Sequence, residues 1–318
     1  MSSIQPKILV GDCIQQMRAL PDQSVHTCVT SPPYFGLRDY GMDGQIGLED
    51  TPEAFVARLV EVFREVRRVL RDDGTLWMNL GDSYARAGGW SDNHGLSRDA
   101  SGFVPERGQS GRAISNFSAG GRSQKVPDGY KQKDLLGIPW RAAFALQADG
   151  WYLRQEIIWH KPNGAPERMN LGRCAKAHEH IFLLAKSSKY YFDGASIAAC
   201  SLNGSSKAKP SVWSVPVRSY RGAHFATFPP DLIEPCILAG APAGGVVLDP
   251  FGGSGTTAGV ALKHGRQAIL CELNPEYAAL IPGRVEAISG SPVIDPTPHD
   301  NDNTLSPFER LIRSIVAA

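Results

Sequence analysis

The stretch Val246-Val247-Leu248-Asp249-Pro250-Phe251-Gly252-Gly253-Ser254-Gly255-Thr256-Thr257 decides the fold of this chain. VVLD reads as a short buried strand, PFGGSG as a tight turn, TTAGVALKHG as a helix and QAILCELN as the next strand. Gly252, Gly253 and Gly255 predict a backbone that approaches a ligand closely, and the N–H groups at the helix start favour an anionic group. Glu272 ends the following strand twenty residues after Gly252, where an acid suits the two hydroxyls of a ribose. This unit does not choose its ligand. Gly253-Ser254-Gly255-Thr256-Thr257-Ala258 fits a dinucleotide fingerprint, so a nicotinamide cofactor stays open, as does a turn that only closes a βαβ unit. S-adenosylmethionine is favoured by Asp249, which can accept from a ligand ammonium, and by Pro250-Phe251 standing ahead of the glycines.

Moving outward, short β-rich runs alternate with helical patterns, which predicts an α/β protein with a largely parallel sheet covered on both faces. KILVG and VHTCVT read as strands with the helix IQQMRAL between them. Residues 52 to 70 read as a helix, with Phe55, Leu59, Val62, Phe63, Val66 and Leu70 recurring at three- and four-residue steps. Thr51 can cap it, Pro52 suits its first turn and Gly74 lies just past its end. GTLWMNLGD, WYLRQEIIWHKP and HEHIFLLAKSS read as strands, and IPWRAAFALQADG and PPDLIEPCILAG as helices. Residues 86–133, rich in Gly, Ser and Arg, carry no apolar period and read as an inserted loop. Residues 194–223 also read as irregular, and a Pro/Asp-rich linker leads to a terminal amphipathic helix within 289–318.

With 318 residues, 42% hydrophobic, the chain is long enough for one catalytic domain over 1–288. Its formal net charge is +1, so a nucleic-acid partner would have to be met by local positive charge. No Cys-x-x-Cys pair and no membrane-length apolar run occurs, which predicts reduced thiols, no metal, no membrane and a cytoplasmic, nucleoid-associated protein.

Ser31-Pro32-Pro33-Tyr34 follows the VHTCVT strand directly. Two prolines remove two N–H donors and fix the turn, leaving carbonyls as acceptors beside an aromatic face. Attack by an exocyclic amine of a base needs such a site, because the amine lone pair is delocalised into the ring. The Ser31 hydroxyl and the Pro32 carbonyl, accepting the two N–H bonds, would draw the nitrogen towards a tetrahedral shape. Tyr34 can stack on a base swung out of the duplex, and most of the rate would come from positioning.

The SPPY and FGGSGTT motifs, in that order, resemble those of the β-type, circularly permuted site-specific DNA amino-methyltransferases that modify adenine N6 or cytosine N4. The resemblance runs from about Lys7 to Val285. It implies a Rossmann-like S-adenosylmethionine-dependent methyltransferase fold, a mostly parallel seven-stranded sheet with helices on both faces, and double-stranded DNA as substrate. It implies that Asp249, Phe251, Gly252, Gly253, Ser254, Gly255 and Thr256 hold the cofactor with Glu272. Asp12 would contact its adenine with Cys13 beside it, and Phe228 would close over it. Ser31, Pro32, Pro33 and Tyr34 match the catalytic tetrad, while WHKPN and HEHIFLLAKSSKYYFD frame the base pocket. Ser at the first tetrad position goes more often with cytosine N4, but either amine could be served. The SPPY and VVLD strands should be neighbours at the switch point of strand order. A homodimer is expected, with Phe308, Leu311, Ile312 and Ile315 of the terminal helix contributing.

Other readings stay open. One is a nicotinamide-dependent oxidoreductase, and another a DNA-binding relative without activity. His178-Glu179-His180 reads as a strand-end polar network in preference to a metal site, and Cys236 after Pro235 as a packed helix residue in preference to a nucleophile. Arg38, Lys161, Arg168, Arg173, Lys176, Arg218 and Arg221 are candidate phosphate contacts. The 86–133 insertion is a candidate DNA-recognition element, with 194–223 a second irregular segment for that role.

Overall fold

The structure is a computed structural model that describes residues 5–85, 126–164, 167, 172–200, 204–218 and 228–290. The strands are β1 (Lys7–Val10), β2 (Val25–Thr30), β3 (Leu70–Leu80), β4 (Tyr152–His160), β5 (His178–Ala185), β6 (Ala199–Cys200), β7 (Ser206–Lys207), β8 (Val212–Ser214), β9 (Val246–Asp249) and β10 (Gln267–Glu272). The helices are α1 (Cys13–Arg18), α2 (Pro52–Val69), α3 (Ile138–Ala148), α4 (Pro230–Gly240), α5 (Thr256–Lys263), α6 (Pro275–Ala278) and α7 (Ile281–Ser289).

The main sheet runs β1-β10-β9-β2-β3-β5-β4-β8 and is eight-stranded, one more than expected. The extra strand is β8, which lies in the 194–223 segment read as irregular and runs parallel to β4. Three residues carry no legible period. β8 is instead held from outside: Trp159 donates to Val215 O, and Asn163 exchanges two hydrogen bonds with Val217. β1, β10, β9, β2 and β3 are parallel, and β5 is antiparallel to both β3 and β4. β9 pairs with β2, as the switch-point expectation required: Thr27 faces Val247 and Cys28 faces Leu248.

The central strands are buried on both faces, the pattern of a sheet covered by helices on each side. In β3, Leu76, Met78 and Leu80 enter the core shared with α1, α2 and α3, while Trp77 enters the core shared with α4, α5 and α7. Thr51 caps α2 by accepting from Ala54 N at 3.1 Å. Gly74 does not terminate it. β3 starts at once at Leu70, the register slips between the Val25 and Thr27 pairs, and Gly74 turns within that irregularity, where a Cβ would lie 2.9 Å from Arg71 O. α6 and α7 were not expected. α7 packs on α5 because Gly255 and Gly259 leave room for Ile281 and Ile288.

This topology puts the C-terminal ends of the parallel strands, the start of β5 and the ends of β4 and β8 along one edge. Val10 pairs with Glu272, Leu270 with Asp249, Leu80 with His180, and His160 with both His178 and Ser214. Every candidate catalytic and cofactor residue except Phe228 stands at or just beyond that edge.

Candidate active site

Asp249 ends β9 and is 2% exposed. Its Oδ1 accepts from Thr30 Oγ1 at 2.6 Å and Phe251 N at 3.0 Å, and its Oδ2 accepts from Thr257 Oγ1 at 2.7 Å. We expected this carboxylate to meet a ligand ammonium. The structure engages both oxygens internally, so Asp249 ties β2, the glycine turn and α5 together. Burial pushes its pKa up, against the pull of those three hydrogen bonds.

Glu272, 8% exposed, is held in the same way. Oε2 accepts from Gly253 N at 2.8 Å and Oε1 from Asn274 N at 2.9 Å. Burial raises its pKa too, opposed by those N–H groups. Gly252 N donates to Cys271 O and Gly255 N to Gly252 O. The N–H groups of residues 251, 252, 253 and 255 are therefore engaged within the turn.

The three glycines have different tasks. A Cβ on Gly252 would lie 2.9 Å from Leu270 Cβ, and one on Gly255, with φ +91°, would lie 2.7 Å from Ile281 Cγ2. Both positions are dictated by internal packing. Only Gly253, with φ +51°, faces open space, its nearest neighbour being Phe251 O at 3.9 Å. Beside it, Ser254 Oγ and Thr256 Oγ1 are buried without a hydrogen-bond partner among the described residues.

Asp12 caps α1, accepting from Gln15 N at 2.9 Å, and lies 3.4 Å from Arg58. Gly11 N donates to Glu272 O, which sets Asp12 next to the end of β10. Cys13 is buried and its thiol is pushed up to about 12, chiefly by burial, so it packs and does not react. Phe228 lies just ahead of α4, half-buried against the α4 core. The set Asp12, Asp249 and Glu272 suits a cation better than a pyrophosphate. S-adenosylmethionine, with its sulfonium, fits the acids, the open face of Gly253 and the two unpaired hydroxyls.

Ser31 follows Thr30 directly and is half-buried. The Thr30–Asp249 bond therefore links the tetrad to the glycine turn across 219 residues of sequence. Tyr34 is more confined than a stacking face would be. Its ring lies over Gly81, where a Cβ would come within 2.4 Å of Cε2. Its hydroxyl donates to Glu179 Oε2 at 2.6 Å and lies 3.3 Å from Asn79 Oδ1. Burial first, and then the charge of Glu179, raises the Tyr34 pKa well above its ordinary value. Asn79 donates to Glu179 Oε2 at 3.3 Å and to His180 O, and Lys161 pairs with Glu179 Oε1 while its ammonium lies 4.2 Å from the Trp159 ring centre.

Lys161 and Lys176 accordingly leave the set of surface phosphate contacts. Lys161 belongs to the Glu179 cluster, and Lys176 donates to Asp82 O with its pKa lowered by burial. Arg173 pairs with Glu167 and stacks 4.3 Å from the Tyr84 ring centre, and Arg218 pairs with Asp231 at 2.6 Å. Arg38 remains half-buried in the loop after Tyr34. Arg168, Arg221, residues 86–125 and the terminal helix lie outside the described residues. The residues just before the insertion and its C-terminal end are described, and they close on each other: Ala85 N donates to Asp134 O, Lys133 N to Ala85 O and Leu136 N to Ser83 O. Ser83 in turn donates to Phe35 O, which roots that stem beside the tetrad.

His180 meets Glu156 at 2.6 Å, giving the strand-end polar network expected of His178-Glu179-His180. Among the described residues no group of three or more His, Cys, Asp or Glu is placed to hold a metal ion. Cys236 is 1% exposed and burial raises its thiol pKa, which fits a packing role. Among the described residues no helix is long and apolar enough to cross a membrane. Sequence reasoning put Glu179 in a strand-end polar network but did not find Tyr34, Asn79 and Lys161 as its partners. Alternation along β5, which places it on the face opposite His178 and His180, was its one available signal.

Residues 25–282 match the model of a DNA methylase family. The chain is 47% identical over 276 residues to the type II methyltransferase M.Cfr9I of Citrobacter freundii, covering 87% of this chain and 86% of that protein. It is 46% identical over 282 residues to M.SmaI of Serratia marcescens, covering 88% and 90%. The PvuII DNA methyltransferase, cytosine-N4-specific, shares the fold at a TM-score of 0.63 and 19% identity over 98% of this chain and 92% of that one. TTHA0409 of Thermus thermophilus, a putative DNA modification methylase complexed with S-adenosyl-L-methionine, does so at 0.58 and 24% over 91% and 100%.

Proposed function

Because the chain belongs to the DNA methylase family, we propose that it methylates the exocyclic N4 amine of a cytosine swung out of double-stranded DNA. Membership removes the nicotinamide alternative. The observation that supports the reading is the hydrogen bond from Thr30 to Asp249, which joins the residue before Ser31 to the end of β9. Bound S-adenosylmethionine supplies an electrophilic methyl on a sulfonium. Ser31 Oγ and Pro32 O accept the two amine N–H bonds and turn the nitrogen lone pair towards that methyl, so positioning carries the rate. Ser at the first tetrad position favours cytosine over adenine through the family resemblance.

Arg38, Arg173 and Arg218 are proposed phosphate contacts. The 86–133 insertion, whose flanks at residues 83–85 and 133–136 pair with each other, is proposed as a DNA-recognition element. The test is incubation of unmethylated DNA with protein and S-adenosylmethionine, followed by mass spectrometry of the nucleosides. N4-methylcytosine is expected. N6-methyladenine would overturn the base assignment and keep the reaction class, while no methylated nucleoside from folded, cofactor-binding protein would overturn both.

A further inference from the structure

Glu179 brings three elements together at the base pocket. From the start of β5 it accepts from the Tyr34 hydroxyl at 2.6 Å and from Asn79 Nδ2 of β3 at 3.3 Å. Lys161, one residue past β4, supplies its counter-charge. The side chains of Glu179 and Lys161 are only 13% and 19% exposed. A buried ion pair is poor evidence for stability, because desolvation offsets most of the Coulomb attraction. Its geometry is more informative. The Tyr34 ring is confined at its edge by the Gly81 backbone and at its tip by Glu179. These two constraints fix the plane of the ring, which a lone hydroxyl meeting water would not. The paired charges also sum to zero, so an uncharged base could enter without meeting a net charge.

We propose that Glu179 is a positioning residue for the transfer reaction, acting through the Tyr34 hydroxyl to hold the ring that receives the target base, with Lys161 balancing its charge. The inference rests on the proposed base-methylating activity and assigns Glu179 no contact with the reacting atoms. If Glu179 works through that hydroxyl, removing either partner has the same consequence and removing both adds little.

The experiment measures kcat and the KM for S-adenosylmethionine on DNA for wild type, Ser31→Ala, Glu179→Ala, Glu179→Gln, Tyr34→Phe and the double variant Tyr34→Phe/Glu179→Ala, with thermal melts alongside. Glu179→Ala and Tyr34→Phe should each lower kcat about tenfold with KM for the cofactor within about twofold, since small misplacements are costly. The double variant should fall no more than about twofold below either single one. Glu179→Gln still offers an acceptor to the hydroxyl but leaves Lys161 without its counter-charge, so it should recover part of the turnover lost in Glu179→Ala. Full turnover in Tyr34→Phe overturns the proposal even if Glu179→Ala does not fold. So do losses that multiply in the double variant, or a Glu179→Ala cofactor KM that rises as much as kcat falls. Wild type that yields no methylated base would instead sink the underlying activity. Active wild type with full-rate Glu179→Ala sinks only the positioning role.

Discussion

Two carboxylate sites on the same sheet edge are solved in opposite ways. At the end of β9 and β10, Asp249 and Glu272 are satisfied by backbone N–H groups and threonine hydroxyls, with no cation among those donors. At the start of β5, Glu179 is satisfied by a tyrosine hydroxyl, an amide and the ammonium of Lys161. Neutral donors hold a carboxylate in place without cancelling its charge, whereas a lysine cancels it. The first end thus keeps a negative field suited to a sulfonium, and the second presents a nearly neutral wall suited to a base. The same carboxylate group would suit a charged ligand at one end and an uncharged one at the other, according to who donates to it.

The sharpest way to break this division is Ser31→Ala, which belongs to the base end. Turnover should drop about 100-fold, since the loss of a group that orients the reacting amine is felt in the chemical step. Cofactor affinity measured by calorimetry should stay within about twofold. Collapse of that affinity would mean that the two ends are not separable.

Next in size are two glycine substitutions within the cofactor turn. Gly255→Ala forces a Cβ to 2.7 Å from Ile281 in a left-handed backbone and should cost about 3 kcal/mol in denaturant unfolding. Gly253→Ala carries only the left-handed penalty, about 1 kcal/mol, because open space surrounds it. Equal losses would contradict the different tasks assigned to the two glycines.

pH separates the ends more gently. Burial raises the pKa of Asp249 and Glu272, so each binds its proton more tightly folded than unfolded. Stability of the cofactor-free protein should fall as pH rises from the ordinary carboxylate range through those raised values. A cationic cofactor favours the ionised forms, so its affinity should weaken as pH drops through those raised values, and saturating cofactor should flatten the stability slope. Affinity that strengthens on acidification would overturn the charge argument. The smallest effect concerns the DNA surface. Arg218→Ala should weaken DNA binding modestly and lower the salt slope by about one, as for the loss of a single phosphate contact. An unchanged slope would remove Arg218 from the proposed interface.

Much of this was legible because it is local. The glycine turn, the proline pair after VHTCVT and the apolar period of α2 each announce their element within a dozen residues. Asp249 and Glu272 were also found, but their hydrogen-bond partners were not. The family resemblance set β2 beside β9, but nothing in VHTCVT singled out Thr30 as the residue that meets Asp249. Lys161 and Lys176 read as surface charges since a lysine carries no mark of burial in sequence. β8 escaped because three residues show no period, and its place depends on Trp159 and Asn163 far upstream.

The sequence by itself determined the α/β class, the order of the two motifs and the residue types able to perform the chemistry, because strand, turn and helix signals act over short spans of chain. Tertiary structure alone decided what each carboxylate is paired with. It gave Asp249 and Glu272 neutral donors and Glu179 a lysine, and it turned a tyrosine read as a free stacking face into one confined at both edge and tip. Those outcomes depend on strand neighbours brought together by sheet pairing, and the strength of a charge depends on what surrounds it after folding.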